Sequence, residues 1–429
     1  MEKTNVLLIG GGGREHAMAW KISRSGQLGT LYIAPGNPGT AECGTNVSLN
    51  TSDFDAVLEF VRSHETGLVV VGPEQPLVDG LADFLMEEGI AVFGPTRAAA
   101  MLEGSKEFAK DFMRDYNIPT ARYRTFEAGQ FEDALAYTRS EGRYPVVLKA
   151  DGLAAGKGVF ICDSDQEVAL RLDQFRDNSA WGEAAEKVVV EEFMEGEEAS
   201  VFVISDGYTA KILHNAQDHK RIGEGDTGLN TGGMGAYSPA PVLTSDLLQQ
   251  VENEIIQPTI TGMQINNSPY KGILYLGLMI TEEGPKVVEY NCRFGDPECQ
   301  VILPSLKNDL LELMIESEHQ RLDEIDIELD GRYRCCVVMA SGGYPESYQK
   351  GKPISGLAEI DQDSLLFLAG ARDAQGEIVT SGGRVLSVVG SGKTLQGAID
   401  HAYKNVEKIS FENAYYRRDI GAKGLKRIH

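Results

Sequence analysis

Residues 145–162 read PVVLKADGLAAGKGVFIC. An apolar run carrying Lys149 leads into a glycine-rich turn and a second apolar run leaves from Val159, so the segment predicts two strands joined by a flexible hairpin. With two cations beside it, such a hairpin can close over phosphates. It is not a P-loop. The spacing from Gly152 to Gly156 and Lys157 is one residue short, and Gly158 stands where that motif needs Ser or Thr. A second near-match, VVGSGKT at 388–394, has Ser387 upstream and reads as a strand-to-helix turn capped by Ser391 or Thr394.

Outward from this hairpin, KVVVEEF (187–193), EEASVFVISD (197–206), TAKILH (209–214), GILYLGLMIT (272–281) and KVVEYNC (286–292) suit an antiparallel sheet flanked by helices near 165–175 and from about Ser245 to Gln264. Upstream the rhythm differs. NVLLIG, LYIAPG, GLVVVGPE and IAVFGP alternate with amphipathic stretches between residues 5 and 95, the pattern of a parallel α/β unit whose ligands sit at the carboxyl ends of its strands. A helix from Ser105 to Tyr116 ends at Ile118-Pro119, and a new unit starts near Tyr123. After about Arg332 the chain reads as short strands and turns with one helix near Leu395–Glu407.

The length of 429 residues suggests about three domains, and 42% apolar against 24% charged residues describes a globular chain. A formal charge of -24 leaves no broad basic surface for nucleic acid, so phosphates must be held in local pockets. Six cysteines without a C-x-x-C pair read as reduced thiols. The first apolar run is too short for a signal peptide, and nowhere do eighteen apolar residues run together. A soluble cytoplasmic protein, with no membrane partner, is the expectation.

Several segments carry chemistry. GGGGREH (10–16) follows a strand and opens a helix, where amides and dipole favour an anion. Glu15 stands where a dinucleotide fingerprint needs glycine, so the expected ligand is a substrate phosphate. Glu191, Glu192, Phe193 and Glu198 lie at a strand end that can offer its backbone to a purine edge and a carboxylate to a ribose hydroxyl. In VVEYNCRFGDPE (287–298), side chains two apart share a face, so Glu289 and Asn291 present two hard oxygen donors suited to magnesium. Arg293 follows on the same parity, as does apolar Val287. AQDHKRIGEGDTGLNTGGMGAYSP (216–239) reads as a long structureless loop of lid type, in which His219 is expected at the surface.

Together with APGNPGT (34–40), VVGPEQPLVDGLAD (70–83), VFGPTRAAAMLEGSK (92–106), ASGGYP (340–345), TSGGRVLSVVG (380–390) and YRRDIG (416–421), these segments closely resemble the phosphoribosylamine-glycine ligase (glycinamide ribonucleotide synthetase) family of the ATP-grasp superfamily. The resemblance spans nearly the whole chain. It implies an N-terminal parallel α/β domain (1–104), a two-lobed ATP-grasp region (105–328, small lobe about 122–190) and a small C-terminal mixed α/β domain (329–429). It implies ligation of glycine to 5-phosphoribosylamine with ATP, through glycyl phosphate, in purine synthesis. Lys106, Lys149 and Gly152–Gly158, including Gly156 and Lys157, would hold ATP phosphates. Glu191 and Phe193 would frame adenine and Glu198 take the ribose, while Glu289 and Asn291 bind Mg2+ or Mn2+. Gly12, Gly13, Arg14, Asn37 and Glu74 would hold the phosphoribosylamine, with Asp218 and Arg293 at the glycine end. Arg293, Asp218 and Lys149 are the catalytic candidates.

Rival readings are a formate-using transformylase, an aminoimidazole carboxylase or a catalytically silent nucleotide-binding regulator. The complete AQDHKR and NTGGMGAYSP segments oppose the first two, and the retained Lys149, Glu289, Asn291 and Arg293 oppose the third. The chain ends soon after YRRDIG, so a monofunctional protein of bacterial type, monomeric or weakly homo-oligomeric, is expected.

Overall fold

Val6, Leu7, Leu8 and Ile9 are all buried, a run rather than an alternation, because helices cover both faces of their strand. Leu7 and Ile9 pack with Val57 and Val61 on one side, Val6 and Leu8 with Ala17 and Ile22 on the other. The computed structural model describes residues 3–153, 158–177 and 182–428. Its first sheet is parallel, in the order Thr45–Asn46, Leu28–Pro35, Thr4–Gly10, Thr66–Val71, Val92–Phe93. The order reverses between Thr4–Gly10 and Thr66–Val71, so a crevice opens past their carboxyl ends, beside Gly10–Gly13 and Gly72–Glu74.

The opening hairpin belongs to an antiparallel sheet ordered Tyr123–Glu127, Lys187–Glu192, Val146–Ala150, Val159–Cys162. Phe131–Glu141 and Asp165–Asp177 cover it, enclosing Phe126, Phe131, Leu148, Val168, Phe175 and Val190. The largest sheet runs Gly284–Asn291, Lys271–Thr281, Glu197–Asp206, Ala210–Asp218, Gly235–Ser238, Tyr333–Ser341, Arg384–Gly392, Leu365–Leu368, with Ala414–Tyr415 beside Tyr333–Ser341. The fold is therefore multidomain α/β, with a sheet continuous from the central region into the C-terminal part.

Gly235–Ser238 makes that continuity, and its sequence explains how. A Cβ on Gly235 would stand 2.6 Å from the carbonyl oxygen of Cys336, so only glycine lets the strands pair. The expected structureless loop is thus corrected. It contains this strand and a small hairpin, Arg221–Gly223 with Thr227–Asn230. Buried Arg417 fixes the hairpin, bonding Asp226 at 3.0 Å, the carbonyl of Arg221 at 3.0 Å and Asp419 at 2.7 Å. His219 is also corrected, being 1% exposed.

The helix expected from Ser245 to Gln264 runs as Ser245–Val251, a wide turn Glu252–Ile256 and Gln257–Ile265. Pro258 lacks an N–H and crowds the preceding turn, and there Gln257 N–H reaches back five residues to the carbonyl of Glu252. Thr394 caps Leu395–Val406 by accepting from Gly397 N–H, as the capping reading requires. Cys335 and Cys336 face opposite sides of their strand and enter different cores. Among the described residues no helix is long and apolar enough to cross a membrane.

His16, His214 and His219 are buried, and burial pushes each imidazole down to about 4. Their folded values are depressed, so the stability contributed by the neutral rings is present above about 6.5 and is lost as pH falls toward 4. Each ring accounts for about 1.4 kcal/mol per pH unit in that window. In a proton NMR titration from about pH 8 to about pH 5, three of the seven histidines should not move. Movement of more than four would contradict the burial.

Candidate active site

The helix Lys106–Asp115 begins at Ser105, whose hydroxyl accepts from Phe108 N–H, while Asp151 accepts from Glu107 N–H at 3.0 Å. This first turn faces the hairpin. Lys106 Nζ donates to the carbonyl of Gly152 at 2.9 Å, and burial lowers its pKa against the opposing pull of Glu289. Gly152 adopts a φ of +95°, which favours glycine where the chain turns into the loop. Gly158 lies at the other end, and Gly156 and Lys157 fall outside the described residues.

Lys149 projects from Val146–Ala150 and meets Glu191 Oε2 at 2.9 Å. Lys110 reaches the same oxygen at 3.2 Å and bonds Thr120 Oγ1 at 2.8 Å. Burial pushes Lys110 down to about 8, while burial of Glu191 is outweighed by the two ammoniums, which hold its carboxyl below the usual range. Both lysines thus meet Glu191 Oε2, and Oε1 is buried without a hydrogen-bond partner among the described residues. Phe193, the other adenine-side candidate, is exposed past the strand end. Sequence reasoning passed over Lys110. Its signal is a position one helical turn after Lys106, on the same face.

Lys149 also donates to the carbonyl of Val288 at 3.2 Å, which joins the hairpin to the Gly284–Asn291 strand. There Gly277 pairs with Glu289 but Leu278 pairs with Val287, leaving Val288 as a bulge. The bulge resolves the awkward parity of Val287. Val287, Tyr290 and Cys292 enter the apolar core, and Glu289 and Asn291 take the other face. Their carboxylate and amide oxygens form a hard donor set that fits Mg2+ or Mn2+. The Asn291 oxygen accepts from Arg293 at 3.2 Å and retains a second lone pair.

Arg293 is not free. Its Nε meets Glu74 at 2.9 Å, one terminal nitrogen meets Glu103 at 2.8 Å and the other donates to the carbonyl of Phe294 at 3.2 Å. Burial works against its charge, but Glu103 and Glu74 overcome this and raise its pKa.

Opposite lie the acids. Glu198 pairs with Lys220 at 2.5 Å. Burial pushes Asp218 up, with Glu198 and Glu289 adding to the effect. Lys220 bears a burial penalty that Asp218 and Glu198 outweigh, so it stays charged. Glu298 is 4% exposed, makes no side-chain bond to another described residue, and is pushed up to about 7 by burial and by Asp218. Sequence reasoning also passed over this residue, although it closes the RFGDPE run.

At the N-terminal turn the expected anion site has acids of the protein beside it. Gly12 N–H is taken by Glu15 Oε2 at 2.7 Å, and the Asp296 carboxylate stands 3.7 Å from where a Cβ on Gly12 or Gly13 would lie. Glu15 thus takes one amide of the helix terminus, and Asp296 stands near it. Arg14 bonds Glu15 at 2.6 Å and the carbonyl of Phe294 at 3.2 Å. Asn37 donates to the carbonyls of Gly11 at 2.9 Å and Leu368 at 2.8 Å, and accepts from Gly39 and Thr40 N–H. Its amide thus shapes the turn.

Another acidic group, Asp361, Asp363 and His401, lies in the C-terminal part. His401 Nδ1 accepts from Ser391 N–H, so the neutral ring carries its proton on Nε2, facing Asp363 at 3.3 Å. Lys404 and Lys408 already hold Asp361. This network is complete without a cation.

Three family models match in succession: the phosphoribosylglycinamide synthetase N domain over residues 4–103, its ATP-grasp (A) domain over 104–299 and its C domain over 334–423. The phosphoribosylamine-glycine ligase of Agrobacterium fabrum is 50% identical over 422 residues, covering 98% of this chain and 99% of that protein. A bifunctional purine biosynthetic protein of Pichia angusta is 48% identical over 99% of this chain, which spans 54% of that protein's length. The solved phosphoribosylamine-glycine ligase of Thermotoga maritima matches with a TM-score of 0.84 at 35% identity, covering 97% of this chain and 100% of that one. The biotin carboxylase domain of a 2-oxoglutarate carboxylase from Hydrogenobacter thermophilus matches at 0.73 and 16% identity, covering 97% and 92%, a likeness of fold alone.

Glu298 yields a stability test. Its folded pKa lies above the ordinary 4.5, so its contribution is fully present below that value and is lost as pH rises through about 7. Glu298→Gln removes the buried charge, and at about pH 8 it should stabilise the protein by something on the order of 1 to 3 kcal/mol, with no gain near pH 4. Paired denaturant melts at the two pH values measure this, and an equal effect at both would refute the burial argument.

Proposed function

The chain belongs to the phosphoribosylglycinamide synthetase family, and on that premise we propose that it joins glycine to 5-phosphoribosylamine, converting ATP to ADP and phosphate and giving glycinamide ribonucleotide for purine synthesis. The observation that carries the reading is the reach of Lys149 to the carbonyl of Val288, beside Glu289, so that a cation and two oxygen donors line one cleft.

A carboxylate is a poor acylating agent, so a glycine oxygen first attacks the γ-phosphorus and the bond to ADP breaks. The amine of phosphoribosylamine then attacks the glycyl carbon, phosphate departs with the bonding pair, and the amine loses a proton. Positioning and charge neutralisation dominate such a transfer, in keeping with lysines rather than a Ser-His or Cys-His pair. Lys106, Lys149 and the Gly152–Gly158 loop, with Gly156 and Lys157, hold the phosphates. Lys110 and Glu191 keep Lys149 aimed. Glu191 and Phe193, at the strand end, frame adenine, and Glu198 takes the ribose. Glu289 and Asn291 would hold Mg2+ or Mn2+, which when bound neutralises phosphate charge.

Asp218 and Arg293 serve the glycine end. Gly12, Gly13, Arg14 and Glu74 border the crevice for phosphoribosylamine, whose rim Asn37 shapes. In this reading the domains divide at 104/105 and 328/329, with a small lobe of about 122–190, and the enzyme works in the cytoplasm on small molecules. Closure of the hairpin keeps water from the glycyl phosphate.

ADP release should require both glycine and phosphoribosylamine, tested by omitting each in turn. Glu289→Gln and Asn291→Ala should each abolish ligation while leaving the thermal midpoint within a few degrees, since the lost groups are ion ligands rather than core. Normal turnover in the folded double variant at ordinary magnesium would refute the assignment. Oxygen-18 in the glycine carboxylate should appear in released phosphate, and its absence would exclude the acyl phosphate.

A further inference from the structure

Glu103 lies in the last turn of the helix Arg97–Gly104, in the part of the chain that carries the parallel sheet, and its side chain is 8% exposed. A buried carboxylate is costly unless paired and hydrogen-bonded. Here each oxygen has its own task. Oε2 accepts from the backbone N–H of Cys292 at 2.7 Å and from its thiol at 3.1 Å, while Oε1 takes the Arg293 guanidinium at 2.8 Å. Cys292 and Arg293 directly follow the strand that bears Glu289 and Asn291. The same Arg293 nitrogen that meets Glu103 also donates to Asn291 Oδ1 at 3.2 Å. One acid, 189 residues away in sequence, therefore fixes both the backbone after the metal-side strand and the arginine beside it.

We propose that Glu103 is a positioning residue for ligation: it sets the direction of the Arg293 guanidinium and the peptide following Asn291, so that the N-terminal unit governs the geometry of the glycine end. Glu103 touches no substrate in this scheme. Glu74 cannot replace it, because Glu74 meets Nε on another edge of the guanidinium and makes no bond to the strand. The inference rests on the reading of Arg293 given under the proposed function.

Glu103→Gln separates the scheme from simple packing. The amide keeps the volume and can still accept from Cys292 N–H, but it turns an NH2 toward the guanidinium where an oxygen stood. In the full-length chain, kcat/KM for glycine should fall about 10- to 100-fold, the range expected when a reacting geometry is displaced by a fraction of an ångström to an ångström. MgATP affinity by calorimetry should stay within about twofold. Glu103→Asp, which keeps the charge one methylene further back, should fall between wild type and Gln, and it serves as the test if the Gln variant does not fold.

Arg293→Ala should lose the same parameter, and the Glu103→Gln/Arg293→Ala double variant should be no worse than Arg293→Ala alone. Wild-type glycine kinetics in the Gln and Asp variants, or full additivity in the double variant, would overturn the inference while leaving Arg293 its role. Wild-type kinetics in Arg293→Ala would instead overturn the underlying reading and the inference with it.

Discussion

Charges removed from water need partners, and the two walls of the central cleft are built around that constraint. On one wall stand three lysines: Lys110 and Lys149 share the Glu191 carboxylate, and Lys106 donates to the carbonyl of Gly152. On the other, Glu198, Asp218, Glu289 and Glu298 surround a single ammonium, Lys220. Each wall thus carries an excess of one sign, and burial lowers the pKa of Lys106 and Lys110 on the first and raises those of Asp218 and Glu298 on the second. A metal-bound triphosphate is complementary to both walls at once, since its anionic chain suits the lysines and its cation suits the acids.

The sequence made much of this legible, for definite reasons. Lys149 announces itself because a cation in an otherwise apolar strand must be paired or functional, and the glycine run beside it marks a backbone that approaches something closely. The parallel sheet is equally visible, because strands covered on both faces read as unbroken apolar runs. Glu289 and Asn291 could be paired by their spacing, yet the parity argument carried an error, with Val287 on the wrong face. A single extra residue at Val288 reverses the alternation, and no residue type there signals it.

What stayed hidden depends on contacts distant in sequence. Lys110 looks like an ordinary surface cation of an amphipathic helix until Glu191 arrives from another sheet. The run 216–239, rich in glycine, reads as a lid, but buried Arg417 supplies donors that order its hairpin from almost two hundred residues away. The glycine turn at 10–13 has the composition of a phosphate cradle. Only the fold reveals that Glu15 and Asp296 bring the protein's own anions to it.

That last substitution gives the C-terminal part a physical reason to exist. Asp296 is held below the usual carboxylate range despite its burial, chiefly through Arg384, which also bonds the carbonyls of Gly232 and Asp296. Arg384 lies on a C-terminal strand, as does Leu368, whose N–H donates to His16 and whose carbonyl accepts from Asn37. The C-terminal unit therefore fixes the N-terminal turn from one side while Glu103 and Glu74 fix the Arg293 arm from the other. Each wall of the crevice is held by a residue from a different part of the chain. A crevice assembled in this way keeps its shape only when all three units are docked, so the last hundred residues belong to the site even though Lys106, Lys149 and the strand of Glu289 and Asn291 lie elsewhere.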